Sequence, residues 1–243
     1  MTGVRVATFN LWSGRAPDGT FDPVLLADAV RSLDADLLAL QEVDRGQQRS
    51  GYADLAALAA EAGGAAAWRF AATLVGPPDS WAEAPGDAGV DGPSYGIALI
   101  SRHPVRSWTQ VRLPRLPRDE PRVALVAVVD LPSGPTTVVS THLTFLRPSC
   151  HLQLARLRTL VRGTSGPVLL LGDLNQGRFA AEQLSGLRSL AGGATFPARA
   201  PRLQLDHVLA DGSFASRGGG PVRLPVSDHR AMVVDLEPVD REA

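Results

Sequence analysis

The organisation of this 243-residue chain is clearest in the stretch Val168-Leu169-Leu170-Leu171-Gly172-Asp173-Leu174-Asn175. The apolar run predicts a buried strand, and Gly172 is expected to let the backbone turn at its end. Asp173 and Asn175 are two residues apart, so both side chains can point into one cavity. Their oxygens suit a hard metal ion, and the carboxamide N–H groups suit an oxyanion such as phosphate. Because Gly, Asp and Asn are also turn residues, this stretch taken alone favours a turn.

The same layout recurs along the chain, because other apolar runs also deliver polar residues near their ends. The residues delivered in this way are Asn10, Glu42, His142, Asp206, Asp228 and His229. Each of these residues also has a purely structural interpretation, such as a strand cap, a solvated edge residue or a hydrogen-bonded core imidazole. Packed sheets present their strand ends at one rim, where ligand sites usually form, so a single site accounts for all of them together.

Helices and hairpins are expected between these strands. Asp22 and Pro23 are typical of a helix start, because Asp caps the first turn and proline suits the first helical position. The predicted helices cover 22–33, 54–62 and 148–162, with short pieces near 179–190. Hairpins are predicted around 102–104 and 132–135, and loops at 76–93 and 217–221. This pattern predicts an α/β fold, two mixed sheets packed face to face with helices outside, in a single domain over 1–243.

Composition excludes several classes of protein. The net charge is −1 and all 24 basic residues are Arg, which argues against a broad basic face for DNA but leaves a local Arg cluster open. The one cysteine, Cys150, cannot form an internal disulfide, so a disulfide-stapled secreted scaffold is excluded. The N-terminus lacks a signal-peptide pattern, and the longest apolar run, 123–129, is too short to span a bilayer. We expect a cytoplasmic monomer without a transmembrane segment.

Six short motifs resemble, in order, the sequence boxes of the endonuclease/exonuclease/phosphatase superfamily, the fold family of DNase I, exonuclease III, neutral sphingomyelinase and inositol-polyphosphate phosphatases. The motifs are Thr8-Phe9-Asn10, Gln41-Glu42, Ser140-Thr141-His142-Leu143, Gly172-Asp173-Leu174-Asn175, Leu205-Asp206-His207 and Ser227-Asp228-His229. The resemblance extends from Val4 to Leu236. It implies a DNase I-like, four-layer α/β sandwich and a metal-dependent phosphoric ester hydrolase, and it does not identify the substrate.

The resemblance also implies a metal site and a water-activating group. Glu42 is expected to be the main Mg²⁺ ligand, with Asn10 and Asp228 close to the same metal and Mn²⁺ as the alternative ion. Asp173 is expected to orient or help deprotonate the attacking water, and Asn175 to donate to the scissile phosphate. Independently of the family, Mg²⁺ prefers few carboxylates together with waters and phosphate oxygens. A Zn²⁺ site is disfavoured because the chain has no Cys pair and no closely spaced His pair.

Two histidines complete the implied site. His142 is expected to donate to a phosphate oxygen, and His229 to act as general base or oxyanion stabiliser, oriented by Asp206. Hydrolysis of a phosphate ester requires charge neutralisation and a positioned nucleophile, and an imidazole can exchange protons near neutral pH. A carboxylate bonded to one ring nitrogen fixes the tautomer and favours the imidazolium.

Four further residues are candidate substrate ligands. Tyr95 precedes a Gly-Ile-Ala segment that resembles the central box of the family, in which Asn often stands where this chain has Ile97, and its alternative is a core aromatic. Arg45, Arg49 and Arg147 follow the functional strand ends and are candidates to bind phosphate or an acidic headgroup. The alternative for each arginine is a solvated surface residue.

The substrate expected from the sequence is a small-molecule, lipid-headgroup or sugar-phosphate ester, because the charge is near neutral and most loops are short. A DNA endonuclease or exonuclease is the alternative, and the arginines within 112–118 are its best argument. A non-catalytic binding module is a second alternative, although every box keeps its reactive residue. A Ser-His-Asp hydrolase is excluded because no Gly-x-Ser-x-Gly segment follows a strand.

Overall fold

The computed structural model describes residues 3–86 and 90–239, and its strands form two mixed sheets. The strands of the first sheet are β1 Val4–Asn10, β2 Leu37–Arg45, β3 Ala67–Val75, β4 Ala82–Glu83, β5 Ser94–Ser101, β12 Phe214–Val222 and β13 Ala231–Pro238. Those of the second are β6 Val105–Arg112, β7 Val123–Leu131, β8 Gly134–His142, β9 Val168–Asp173, β10 Arg188–Ser189 and β11 Asp206–Ala210. The strand orders are β12-β13-β1-β2-β5-β3-β4 and β10-β11-β9-β8-β7-β6.

Helices cover the outer face of each sheet. Their bounds are α1 Pro23–Leu33, α2 Leu55–Gly63, α3 Arg147–Arg162 and α4 Arg178–Ser185. Asp22 caps α1 as predicted, because its side chain accepts from the N–H groups of Val24 and Leu25. Among the described residues no helix is long and apolar enough to cross a membrane.

Three apolar clusters fill the spaces between the four layers. Between the sheets, side chains such as Leu37, Leu99 and Leu125 pack face to face. A second cluster joins α1 and α2 to the outside of the first sheet, and a third joins α3 and α4 to the outside of the second. The predicted α/β sandwich of two mixed sheets flanked by helices is therefore confirmed.

Two parallel strand pairs bring the polar strand ends to one rim. Strands β1 and β2 run parallel and pair Asn10 with Gln41, and β8 and β9 run parallel and pair His142 with Asp173. Strand β11 runs antiparallel to β9 and begins at Asp206, opposite Asp173. Ends of parallel strands and the start of their antiparallel neighbour therefore meet at the same edge.

Two predictions about strands β5, β6 and β12 are wrong. Strands β5 and β6 do not form a hairpin around 102–104, because β5 pairs with β2 and β3 whereas β6 pairs with β7 in the other sheet. The glycine-rich segment 217–221 is not a loop but part of edge strand β12, paired with β13. A Cβ at Gly219 would lie 2.2 Å from the Val233 carbonyl oxygen, so glycine there allows close strand approach rather than a turn. The hairpin of β7 and β8 is confirmed.

Gly172 has a different function from the turn predicted for it. It lies inside β9, and a Cβ at this position would be 2.1 Å from the carbonyl oxygen of Thr141 on β8. Gly172 therefore allows β8 and β9 to approach closely one residue before Asp173.

Replacing Gly172 by Ala is expected to lower the free energy of unfolding by about 3 kcal/mol, because the added methyl group overlaps the neighbouring backbone. Chemical denaturation monitored by circular dichroism measures this loss. Gly177→Ala is the matched control, since a Cβ there meets no atom within 4 Å, and its expected cost is below about 1 kcal/mol. Equal losses in the two variants would contradict the close-approach explanation.

Candidate active site

Seven of the predicted residues form one contact network, which we call the Asp173 cluster. It lies at the rim where the polar ends of the parallel strand pairs meet. Its members are Asn10, Glu42, His142, Asp173, Asn175, Asp206 and His229. Two of them have left-handed backbone, Glu42 with φ 53° and Asn175 with φ 50°. Glu42 lies in a β-bulge, where the register of β2 against β5 shifts between Leu40 and Val43. Bulges and strained non-glycine backbone concentrate at functional sites, where they redirect a side chain.

Asn10 connects the two halves of the cluster. Its Nδ2 donates to Glu42 Oε1 at 3.0 Å and to Asp173 Oδ2 at 3.1 Å. The backbone N–H of Trp12 donates to Asn10 Oδ1 at 3.0 Å, which fixes the amide with its nitrogen towards the carboxylates. Asn10 therefore joins the end of the first sheet to the end of the second.

Asp173 lies at the centre of the cluster and is buried. Its Oδ1 accepts from the Asn175 backbone N–H at 3.0 Å, and its Oδ2 lies 3.5 Å from His142 Nε2 and 3.8 Å from His229 Nε2. Burial and the charge of Asp206 raise the pKa of Asp173 to about 7, although His229 and the hydrogen bonds from Asn10 and Asn175 oppose them. A carboxylate with a pKa near neutrality can accept a proton from water.

His229 and Asp206 form a buried pair. His229 Nδ1 lies 2.8 Å from Asp206 Oδ2. Burial lowers the pKa of His229, but the hydrogen bond and charge of Asp206, with the charges of Asp173 and Asp228, raise it to about 9. Ser227 anchors this loop, because its hydroxyl donates to the Asn10 carbonyl at 2.6 Å and accepts from the His229 backbone N–H at 3.0 Å.

His142 is held between Arg122 and Asn175. Its Nδ1 lies 2.9 Å from Nη1 of Arg122, and its Nε2 lies 3.3 Å from Nδ2 of Asn175. The same amide nitrogen donates to the Leu143 carbonyl at 2.9 Å. Burial, and then the charges of Arg122 and His229, lower the pKa of His142 well below its usual value. The imidazole is therefore neutral at neutral pH.

Asp228 lies beside the cluster, because it directly precedes His229 in the chain. Its backbone carbonyl accepts from the Ala198 N–H at 2.6 Å, and its side chain is half-buried. Burial raises the pKa of this carboxyl, while His229 and Arg15 lower it and Asp206 raises it further. The anchoring of Ser227 to Asn10 holds Asp228 at the same rim.

The four weaker candidates divide into two groups. Tyr95 is buried and stacks on Trp81 with ring centroids 5.3 Å apart, and Arg49 lies 5.5 Å from the Tyr95 ring. Burial, and then the charges of Glu42 and Glu120, raise the pKa of Tyr95 well above its usual value. Ile97, two residues further on, packs in the core between the sheets.

The arginines already have structural contacts or lie in solvent. Arg49 forms a two-bond ion pair with buried Asp44, at 2.8 and 2.7 Å. Arg45 pairs at 3.1 Å with Asp54, the cap of α2. Arg147 is the exposed first residue of α3. Their binding of phosphate stays a prediction.

The residues present fit a divalent cation. The carboxylates of Glu42 and Asp173 are bridged by the neutral amide of Asn10 rather than by a positive group. Oδ1 of Asp206 is buried without a hydrogen-bond partner among the described residues. Asp173, Asp206 and His229 also bring ligand atoms within 4.8 Å of one another. Several converging oxygens with unbalanced negative charge are typical of a site for Mg²⁺ or Mn²⁺.

Sequence reasoning missed Arg122 and Ser227 as contributors to the site. Arg122 is buried directly before β7, and the register that pairs Ala124 with Thr141 places it beside His142. The sequence signal that could have indicated Arg122 is a charged residue at the start of a buried hairpin strand. Ser227 belongs to one of the six sequence motifs, but its hydroxyl bond to the Asn10 carbonyl gives no sequence signal of its own.

Comparisons with known proteins agree with this geometry. A family model described as Endonuclease/Exonuclease/phosphatase family matches residues 7–229, which include the whole Asp173 cluster. An endonuclease/exonuclease/phosphatase from Beutenbergia cavernae DSM 12333 is similar, with a TM-score of 0.76 and 26% identity over 98% of this chain and 72% of that chain. No curated protein sequence matches the chain.

Two further solved structures share the fold. A mannosyl-6-phosphatase from Bacteroides thetaiotaomicron VPI-5482 has a TM-score of 0.66 and 16% identity, over 96% of this chain and 99% of that chain. The human Nocturnin catalytic domain with bound sulfate anion has a TM-score of 0.66 and 18% identity, over 98% of this chain and 95% of that chain. The four-layer sandwich is therefore the DNase I-like fold.

Proposed function

The chain belongs to the endonuclease/exonuclease/phosphatase family, whose members are metal-dependent phosphoesterases, and from this premise we propose that the Asp173 cluster hydrolyses a small phosphate ester with Mg²⁺. The observation that carries the proposal is the convergence of Glu42 and Asp173 on Asn10, at 3.0 and 3.1 Å. This contact joins a metal-binding carboxylate to a water-activating carboxylate across the two sheets.

Each half of the cluster has a distinct task in the proposed reaction. Glu42 would hold Mg²⁺, with Asn10 orienting the carboxylate and Asp228 at the same rim. Bound Mg²⁺ would supply charge neutralisation on the phosphate and polarise a water molecule. Asp173 orients the attacking water and accepts its proton, because its carboxylate is buried and lies between two imidazoles.

The remaining members of the cluster bind the phosphate. Asn175 and His142 present N–H groups from one side, where charge accumulates on the phosphate oxygens in the transition state. Nε2 of His229 lies 3.8 Å from Oδ2 of Asp173, the oxygen that also faces His142. Asp206 fixes the Nδ1–H of His229 and stabilises its protonated form, which supports a role in opposing the negative charge of the phosphate.

The charges around the 112–118 segment support a small ester over DNA. Arg115 pairs with Glu83 at 2.5 Å and Arg112 lies 3.7 Å from the same carboxylate, so two of these arginines are partly neutralised. DNA binding depends on free cationic groups that follow the phosphate backbone. We therefore propose a small-molecule, lipid-headgroup or sugar-phosphate ester, with DNA as the alternative.

A panel of phosphomonoesters and phosphodiesters, including sugar phosphates, a lipid-headgroup ester and random DNA, tests this proposal. We expect turnover of at least one small ester, loss of that turnover in EDTA, and recovery when Mg²⁺ is restored, because the metal supplies several kcal/mol of transition-state stabilisation. Inorganic phosphate release is measured for the monoesters, formation of the monoester product for the diesters, and strand cleavage for DNA. Metal-independent turnover, or none across the panel, would contradict the proposed reaction, and cleavage of DNA alone would select the alternative substrate.

A further inference from the structure

Arg122 is a buried cation that the reaction described above does not use. It is 7% exposed and lies directly before β7, beside the end of β8. Its guanidinium forms an ion pair with Glu120 at 3.2 Å, and its Nη1 also lies 2.9 Å from Nδ1 of His142. The guanidinium is thus held by Glu120 and directed at one nitrogen of a histidine in the Asp173 cluster.

The contact between Arg122 and His142 determines the tautomer of His142, because only one of the two groups can accept a hydrogen bond. A guanidinium has five N–H donors and no acceptor, and it stays protonated in proteins. Nδ1 of His142 must therefore accept the bond from Arg122, so the ring proton is on Nε2. The charge of Arg122 at this distance also opposes a second proton on the ring.

The surroundings of Nε2 leave its proton available to a substrate. The amide nitrogen of Asn175, 3.3 Å away, is itself a donor, because it already donates to the Leu143 carbonyl. Two N–H groups therefore converge without an acceptor between them. The nearest carboxylate oxygen of the cluster is Asp173 Oδ2, 3.5 Å from Nε2, which is longer than a good hydrogen bond.

We propose that Arg122, anchored by Glu120, is a positioning residue that fixes His142 as the neutral Nε2–H tautomer, so that His142 and Asn175 form a permanent pair of donors for one phosphate oxygen. His142 then stabilises negative charge without gaining or losing a proton during the reaction. The inference rests on the proposed function for the identity of the oxyanion, but the tautomer itself follows from the Arg122 contact alone.

The tautomer of His142 can be measured directly in the unmodified protein. Long-range ¹H–¹⁵N correlation spectra of protein labelled with ¹⁵N-histidine distinguish a protonated from an unprotonated ring nitrogen, and the chain has five histidines. His142→Gln assigns the relevant signals by their loss. We expect an unprotonated Nδ1 and a protonated Nε2 at neutral pH with Mg²⁺ present. A protonated Nδ1, alone or in an imidazolium, would overturn the proposal without requiring any variant of Arg122 to fold.

The role of Arg122 is tested by Arg122→Gln, since an amide can accept as well as donate and no longer requires one tautomer. We expect a protonated Nδ1 to become populated and kcat to fall about 100-fold, the order of loss seen when one oxyanion donor is removed. Arg106→Gln is the matched control, because Arg106 pairs with Asp130 at 2.6 Å at the far end of β7. An unchanged tautomer and rate in Arg122→Gln would refute the positioning role.

Titration with inorganic phosphate separates this inference from the proposed function. We expect phosphate and Mg²⁺ together to shift the Nε2–H signal of His142. A correct tautomer with no response to phosphate and no esterase turnover would remove the proposed function, whereas esterase turnover with the wrong tautomer would remove only the inference about Arg122.

Discussion

Replacing Asp173 by Asn is expected to lower kcat for a phosphate ester about 10³-fold, because the amide cannot accept a proton from the attacking water. The substitution keeps the shape of the side chain and the oxygen that accepts from the Asn175 backbone N–H, while its amide nitrogen replaces the oxygen that accepts from Asn10 Nδ2. The defect should therefore appear in kcat rather than in the fold. Steady-state kinetics at saturating Mg²⁺ measure it.

The same variant should not lose stability, and this separates a catalytic role from a structural one. Burial raises the pKa of Asp173 to about 7, so its ionised form is less favourable in the folded protein than in the unfolded chain. Removing the charge is therefore expected to leave the free energy of unfolding unchanged or raised at pH 8. Asp28→Asn on the exposed face of α1 is the control, with activity expected to be unchanged. A stable Asp173→Asn enzyme with full activity would remove Asp173 from the reaction.

The sequence predicted most of the Asp173 cluster because its residues occupy strand ends. Asn10, His142 and Asp173 each end a buried apolar strand, and the parallel pairs bring those ends to one rim. Local patterns identify such positions, since the alternation and length of an apolar run mark where a strand stops. The helix beginning at Pro23 was predictable for a similar reason, because its cap is encoded by the preceding Asp22.

The wrong predictions concern segments whose structure depends on pairing with strands that are distant in sequence. The segment 217–221 is a strand because β13 pairs with it, and its glycines allow that contact instead of forming a loop. Strands β5 and β6 are neighbours in sequence, yet they enter different sheets. Gly172 looked like a turn residue, but the approach of Thr141 from β8 is what requires it. None of these partners is adjacent in sequence.

The role of Arg122 in the site could not be predicted from the sequence for the same reason. Its position before a strand resembles that of many surface arginines, and its contact with His142 depends on the register of β7 against β8. The left-handed backbone of Glu42 likewise arises from a bulge against β5. Sequence patterns predicted most members of the Asp173 cluster, whereas the contacts that orient them depend on tertiary structure.

Replacing Glu42 by Gln is expected to lower turnover about 10³-fold, or about 4 kcal/mol, because the proposed metal ligand loses its charge. Gln keeps the length of the side chain and an oxygen for the bond from Asn10 Nδ2. The loss should be largest at low Mg²⁺ and partly recover as Mg²⁺ is raised, which a rate titration measures. Glu61→Gln on the exposed surface of α2 is the control and should follow the wild-type curve.

The position of the bound metal tests the proposed role of Glu42 most directly. The described residues offer two candidate positions for the ion, one at Glu42 beside Asn10 and the other among Asp173, Asp206 and His229. Anomalous scattering from Mn²⁺ in crystals of the wild-type protein and Glu42→Gln locates the ion. We expect a peak in contact with the Glu42 carboxylate that is weakened or lost in the variant. A peak held by Asp206 and His229, at equal strength in both proteins, would contradict the assignment of Glu42 as the metal ligand.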